Sequence, residues 1–66
     1  MPTFFSNHIS QSSIILDEND SRHAIKSLRL KSKDQINIID GRGTLYTTEI
    51  IDNNPKKTIV TILNKK

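Results

Sequence analysis

The chain has 66 residues, no cysteine, 10 Lys or Arg against 7 Asp or Glu, and a net charge of +3. This length excludes a two-domain enzyme, and the lack of cysteine excludes a disulfide framework or a thiolate zinc site. We therefore predict one small domain held together by packing, located in the cytoplasm, with no metal site and no segment that crosses a membrane.

Most of the predicted elements are strands. Short runs rich in Ile, Thr and aromatic residues, with apolar and polar positions alternating, are typical of strands. They occur at residues 4–5, 13–16, 35–40, 45–52 and 57–63.

One helix is predicted over residues 17–28. Asp17 is a good N-cap, and Glu18 and Asp20 place negative charge at the positive end of the helix dipole. The stripe expected to face the core consists of Ala24, Ile25 and Leu28.

The turns connect the last three strands into a meander. Asp40-Gly41-Arg42-Gly43 is a strong hairpin signal, and Pro55 stops the strand before it. Neighbouring apolar residues, as at Ile38-Ile39, put apolar groups on both faces of the sheet at single points, which favours a bent sheet with bulges over a flat one. The predicted fold class is therefore mainly β (α+β): a small barrel of about five to six short strands with one helix at one end.

Positive charge is concentrated in two segments without acids. Residues 21–33 carry five cations and residues 53–66 carry four lysines. On a regular helix Arg22, Lys26 and Arg29 form a ridge within about 60°. Such a pattern favours an anionic partner, most often nucleic acid, although lysines also serve as ordinary solvated surface. The candidate RNA-binding residues are Arg22, Lys26, Arg29, Lys31 and Lys33, with Arg42 at the hairpin tip.

Catalytic and cofactor sites are weakly supported. Asp20, His23 and Ser27 share a solvated helix face without an oxyanion donor, so we assign no catalytic residue and expect His23 to pack at the helix edge. The Gly41–Gly43 turn links two strands, whereas a phosphate-binding loop joins a strand to a helix. Because Tyr46 is isolated, we expect RNA contact through phosphates and shape rather than base stacking.

Several motifs occur in a characteristic order: Met1-Pro2-x-Phe4-Phe5, His23, Leu28-Arg29-Leu30-Lys31, Asp34, Asp40-Gly41-Arg42-Gly43 and Tyr46. In this order the chain resembles, over nearly its whole length, the N-terminal domain of the RsmE family. The members of that family are bacterial 16S ribosomal RNA methyltransferases that modify N3 of a uridine. The resemblance implies a PUA-like barrel that docks the enzyme on 16S ribosomal RNA of the small ribosomal subunit. It also implies a following knotted methyltransferase domain that binds S-adenosylmethionine and forms the homodimer.

The chain departs from the family pattern at two positions. Thr3 replaces an arginine, so the resemblance implies no RNA contact there. Lys33 replaces a glycine before Asp34, so that turn must form without positive φ or under strain.

Two functions remain open from the sequence. In the first, residues 1–66 are an RNA-binding domain cut from a longer methyltransferase, without catalytic residues or cofactor of their own. In the second, the domain is a structural or dimer-packing barrel without direct RNA contact, and its Ile-rich faces carry the function.

Overall fold

The computed structural model describes residues 2–6 and 9–66. These residues form five strands in one sheet and one short helical segment. The strands are β1 (Thr3–Phe5), β2 (Ser13–Ile15), β3 (Gln35–Ile39), β4 (Leu45–Asp52) and β5 (Ile59–Lys65). The helix α1 (Glu18–Arg22) continues directly into a π-helical turn, His23–Ser27.

The sheet has the strand order β1-β3-β4-β5-β2. Strands β3, β4 and β5 form the predicted antiparallel meander. At one edge β1 pairs parallel with β3, and at the other β2 pairs antiparallel with β5. The result is a curled half-barrel, which confirms the predicted mainly β fold class.

The core lies on the concave face of the sheet. Its fully buried side chains come from alternate strand positions, as the pleat requires. Thr48 is also completely buried there, and its hydroxyl donates to the carbonyl of Ile36 at 2.9 Å, so its polar atom is satisfied. The buried apolar residues are Phe4, Ile14, Leu16, Ala24, Ile36, Ile38, Ile50 and Val60.

The convex face exposes the second residue of the Ile-Ile pairs. Ile38 and Ile50 are fully buried, whereas Ile39 and Ile51 are 40% and 53% exposed. The β4–β5 register shifts between Thr47 and Thr48 and again between Ile50 and Asp52, which confirms the predicted bulges.

The helix begins as predicted but does not continue as a regular α-helix. The Asp17 carboxylate accepts the Asp20 N–H at 2.7 Å, which confirms the N-cap. From His23 the chain is π-helical, and Leu28 N–H donates to the carbonyl of His23, five residues back. Because the wider turn shifts the angular position of later residues, Leu28 is 39% exposed, and its predicted burial is wrong.

The helical segment bridges the two edges of the sheet. The buried Ser21 hydroxyl accepts the Thr58 N–H at 2.8 Å and donates to the carbonyl of Leu16 at 3.2 Å, next to β5 and β2. On the other side the ring of His23 lies edge-on to Phe4 of β1, with centroids 6.0 Å apart. This position at one end of the half-barrel confirms the predicted placement. Within the described ranges no helix has the length and apolar character needed to cross a bilayer.

Candidate nucleic-acid interface

The first two candidate cations project from the helical segment. Arg22 ends α1 and is held by Glu18, one turn earlier, at 2.9 Å. Both side chains are more than half exposed, so this pair is a weak surface ion pair. Lys26 lies in the π-helical turn and is exposed. Of residues 2–6 and 9–66, Arg22 and Glu18 form the one ion pair, so Lys26 is unpaired.

Arg29 ends the helical segment in a left-handed conformation. Its φ is 56°, and the N–H of the next residue, Leu30, donates to the carbonyl of Ala24 at 3.0 Å. Glycine usually holds this position, since a side chain with positive φ costs about 1 kcal/mol. The predicted ridge of Arg22, Lys26 and Arg29 assumed α-helical spacing throughout. The π-helical turn and the reversal at Arg29 replace that regular ridge with an irregular group of exposed cations.

The turn Lys31–Asp34 presents the next two cations. Asp34 N–H donates to the carbonyl of Lys31 at 3.0 Å, and its carboxylate accepts the Lys31 N–H at 2.7 Å. Lys33 takes φ of 78° at the third position, as in a type II turn. The sequence offered a turn without positive φ or a strained one, and the structure shows the strained one. Pairing of Lys33 N–H with the carbonyl of Ile50 at 2.7 Å holds this conformation beside β4.

Arg42 lies at the tip of the β3–β4 hairpin. Gly41 and Gly43 on either side take φ of 76° and 93°, which confirms the predicted turn. The Asp40 carboxylate organises the loop by accepting the Arg42 N–H at 2.7 Å and the Thr44 N–H at 3.2 Å. The hydrogen bond from Arg42 is the largest cause of a lowered Asp40 pKa, and those from Thr44 and Tyr46 contribute further.

The strand register assigns these cations to opposite ends of the sheet. We call the end with the helical segment, turn 31–34 and the β4–β5 turn the helix end, and the end with loop 40–44 the hairpin end. Gln35 pairs with Glu49 and Asp52 with Ile59 at the helix end, whereas Ile39 pairs with Leu45 at the hairpin end. The 8 residues of β4 separate the two ends by roughly 20 Å.

Most of the predicted cations therefore come together, but Arg42 does not join them. The helix end carries Arg22, Lys26, Arg29, Lys31 and Lys33. The second basic segment is divided: Lys56 and Lys57 lie in the β4–β5 turn at the helix end, whereas Lys65 and Lys66 run beside Tyr46 and Leu45 at the hairpin end. The sequence signal for adding Lys56 and Lys57 is the Asn-Pro turn after β4, because the end of β4 pairs with the start of β3.

Six acidic residues share the helix end with these cations, and three of them accept backbone N–H groups. The carboxylates of Asp17, Asp34 and Asp52 each accept a local backbone N–H, from Asp20, Lys31 and Asn54 respectively. These three acids are exposed, as the lysines are, but each is engaged by a backbone donor, whereas the lysines there have no ion-pair partner among the described residues. Among the described residues, Lys26, Arg29, Lys31 and Lys33 are therefore exposed cations of this end that have no ion-pair partner and could pair with a polyanion.

Asp20, His23 and Ser27 do not form a catalytic arrangement in the structure, because the His23 ring packs against another side chain. The His23 ring contacts Phe4, and none of the side-chain hydrogen bonds found in the described part of the chain joins that ring to Asp20 or Ser27. The backbone N–H of His23 donates to the carbonyls of Asn19 and Asp20, as part of the helix. Partial burial raises the pKa of Asp20, the Asp17 carboxylate raises it further, and His23 opposes both. Within the described ranges there is no cluster of three or more His, Cys, Asp or Glu suited to a metal ion.

Comparison with known proteins identifies the family. A family model described as "RNA methyltransferase PUA domain" matches residues 16–63. The chain belongs to this RNA methyltransferase PUA domain family. A search of curated proteins finds no match.

Solved structures related to this PUA domain share its whole fold. A probable rRNA methyltransferase from Porphyromonas gingivalis superposes with a TM-score of 0.88 at 26% identity, over 100% of this chain and 27% of the other. The ribosomal RNA small subunit methyltransferase E of Neisseria gonorrhoeae, bound to S-adenosyl methionine, superposes with a TM-score of 0.85 at 25% identity. This match covers 100% of this chain and 28% of the other. A predicted RNA methyltransferase from Thermotoga maritima superposes with a TM-score of 0.87 at 26% identity, over 100% of this chain and 30% of the other. The chain thus spans less than a third of the length of these proteins.

These matches confirm the resemblance to the PUA-like N-terminal domain of the RsmE family. All of the predicted RNA-binding residues lie inside the matched segment 16–63, and so do Asp40 and Tyr46 of the hairpin end. Strand β1, with the divergent Thr3, lies outside it.

Proposed function

We propose that this PUA domain binds ribosomal RNA for a methyltransferase that uses S-adenosylmethionine to modify N3 of a uridine in 16S ribosomal RNA. The RNA partner would be the small ribosomal subunit, and the enzyme would act in the cytoplasm. The observation that carries the proposal is the group of exposed cations at the helix end. Lys26, Arg29, Lys31 and Lys33 have no ion-pair partner among the described residues.

The chemistry of methyl transfer would belong to a further domain. In the longer relatives most of the chain lies outside the region matched here. That further part would bind S-adenosylmethionine and form the homodimer. The glycines of loop 40–44 serve the hairpin through their positive φ, so we assign no residue of this chain to the cofactor.

The salt dependence of RNA binding tests this proposal. Each phosphate contact on single-stranded RNA contributes about −0.7 to the slope of log affinity against log salt, so four contacts predict a slope near −3. The measurement is fluorescence anisotropy of a labelled 16S ribosomal RNA fragment titrated with the chain at several salt concentrations. A slope near zero would contradict binding through this cation group.

The alternative is a structural or dimer-packing barrel without direct RNA contact. It is favoured by an apolar cluster on the convex face, where Phe5, Ile39 and Leu45 lie side by side across three strands. Phe5 is 55% exposed, which is unusual for so large an apolar side chain. Self-association in sedimentation experiments that Phe5→Ser abolishes, together with no RNA binding, would establish this function instead.

A further inference from the structure

A small pocket opens at the hairpin end, away from the helix-end cations. It is lined by Ile9, Asp40, Arg42 and Tyr46 and has a volume of about 230 Å³. Sites for drug-sized ligands begin at about 300 Å³, so this pocket suits a smaller, single-ring group. The sequence does not predict this pocket, because a single tyrosine forms no aromatic pattern and Ile9 is far from Tyr46 along the chain.

The two oxygens of Asp40 have different roles in this pocket. Oδ1 is occupied by the backbone N–H groups of Arg42 and Thr44. Oδ2 has one partner in the described residues, the Tyr46 hydroxyl, at 3.5 Å. That distance is at the limit of a hydrogen bond, so Oδ2 retains capacity to accept a stronger donor. The lowered Asp40 pKa keeps the group ionised and therefore an acceptor only.

The other lining groups suit a nucleobase. Tyr46 and Ile9 pack partly against the core and also line the pocket, so the edge of a flat heterocycle can contact them there while polar groups form most of the lining. Arg42 forms no ion pair with the described residues, so its guanidinium can contact the attached phosphate. A phosphate inside the pocket itself is disfavoured, because it would meet the Asp40 carboxylate.

We propose that this pocket binds one unpaired nucleobase that carries an exocyclic amino group, which donates to Oδ2 of Asp40 while the base lies against Tyr46. The inference rests on the proposed RNA-binding function and adds a base-reading subsite to it. Carboxylates accept from the amino group of cytosine in nucleic-acid recognition, whereas uracil presents a carbonyl at the same position. The pocket should therefore prefer cytosine over uracil by about fivefold.

Tyr46 provides a direct signal for the test. The chain has one tyrosine and no tryptophan, so its fluorescence reports on this pocket alone. Equal-length oligo(C) and oligo(U) RNA are titrated into the 66-residue chain, while anisotropy of labelled oligonucleotide follows total binding. We expect quenching of Tyr46 by oligo(C), weaker quenching by oligo(U), and about fivefold tighter binding of oligo(C).

Asp40→Asn tests the donor and acceptor assignment. The amide oxygen can replace Oδ1 in holding the loop, while its NH₂ replaces the accepting Oδ2 with a donor. The preference should then reverse toward oligo(U), a change of about tenfold in the affinity ratio. Asp34→Asn is the matched control, since it makes the same charge change in the turn at the other end of β3 and should leave the ratio unchanged.

Each outcome decides between the two proposals. If both oligonucleotides bind with a steep salt dependence but Tyr46 does not respond, or if Asp40→Asn and Asp34→Asn change the ratio equally, the base pocket is wrong and RNA binding stands. If neither oligonucleotide binds, both proposals are wrong. Quenching with a ratio that Asp40→Asn reverses supports both.

Discussion

The turns at the two ends of β3 both need a residue with positive φ, but they use different residue types for it. Each is organised by an aspartate, Asp34 before the strand and Asp40 after it, and each contains a backbone with positive φ. At the hairpin end glycines take that conformation, whereas at the helix end Lys33 takes it. The helix end thus tolerates backbone strain at a position that presents a cation.

Arg29 repeats the pattern at the helix end, with a φ of 56°. Non-glycine residues in this conformation cost of order 1 kcal/mol each and persist where the surrounding contacts determine the backbone. Such strain often marks a functional position. The two ends therefore differ in which residues take a positive φ: cations at the helix end and glycines at the hairpin end.

The largest expected effect is at the hairpin end. Gly41→Ala must keep a φ of 76° and places a Cβ 2.8 Å from Cε2 of Phe5, so we expect a loss of about 2 kcal/mol in the free energy of unfolding. Gly43→Ala is the control, because its φ of 93° also lies in the left-handed region, but no other atom of residues 2–6 and 9–66 lies within 4 Å of the added Cβ. It should cost about 1 kcal/mol, measured by urea unfolding. Equal losses in both variants would show that contact with Phe5 contributes nothing.

Lys33→Gly should increase the free energy of unfolding rather than lower it. Glycine relieves the strain at a φ of 78° but raises the entropy of the unfolded chain, leaving a net gain of about 0.5–1 kcal/mol. Ser32→Gly, one residue earlier at a position without positive φ, should lose about 0.5 kcal/mol instead. Thermal unfolding of the two variants separates these effects. A destabilised Lys33→Gly would mean that Lys33 is not strained.

The smallest expected effect is a difference in acid response between the two ends. The pKa of Asp40 is lowered from 3.8, so its stabilisation is present above pH 3.8 and is lost as the pH falls through the folded-state value. The pKa of Asp20 at the helix end is raised, so its destabilisation is relieved on acidification. Asp40→Asn should therefore lose less stability in acid than the wild type, and Asp20→Asn should lose more. Urea midpoints from neutral pH to about pH 3 measure this, and shifts of the same sign would contradict the assignment.

Local signals allowed much of the fold to be predicted. The hairpin, the meander and the Asp17 cap depend on residues close in sequence, and each was confirmed. The π-helical turn was not predictable in this way, because the prediction from the spacing of apolar residues assumed a regular α-helix. That assumption is why the predicted burial of Leu28 and the predicted ridge through Arg29 were both wrong.

The site was predictable only where its charged residues are close together in the sequence. The cations at residues 22–33 come together because they are consecutive in the chain, whereas the separation of Arg42 depends on strand register. The pocket beside Tyr46 requires Ile9 and the hairpin to meet, a long-range contact that residue spacing does not encode.

The central claim is that the helix-end cations form a specific phosphate-binding group. Its most direct test compares Lys26→Ala/Lys31→Ala with Lys65→Ala/Lys66→Ala, two double variants that remove the same charge from opposite ends of the sheet. The salt slope of binding to the 16S ribosomal RNA fragment should become shallower by about 1.4 in the first variant and stay close to that of the wild type in the second. Equal changes in both would show that the RNA responds to net charge alone and would contradict the account.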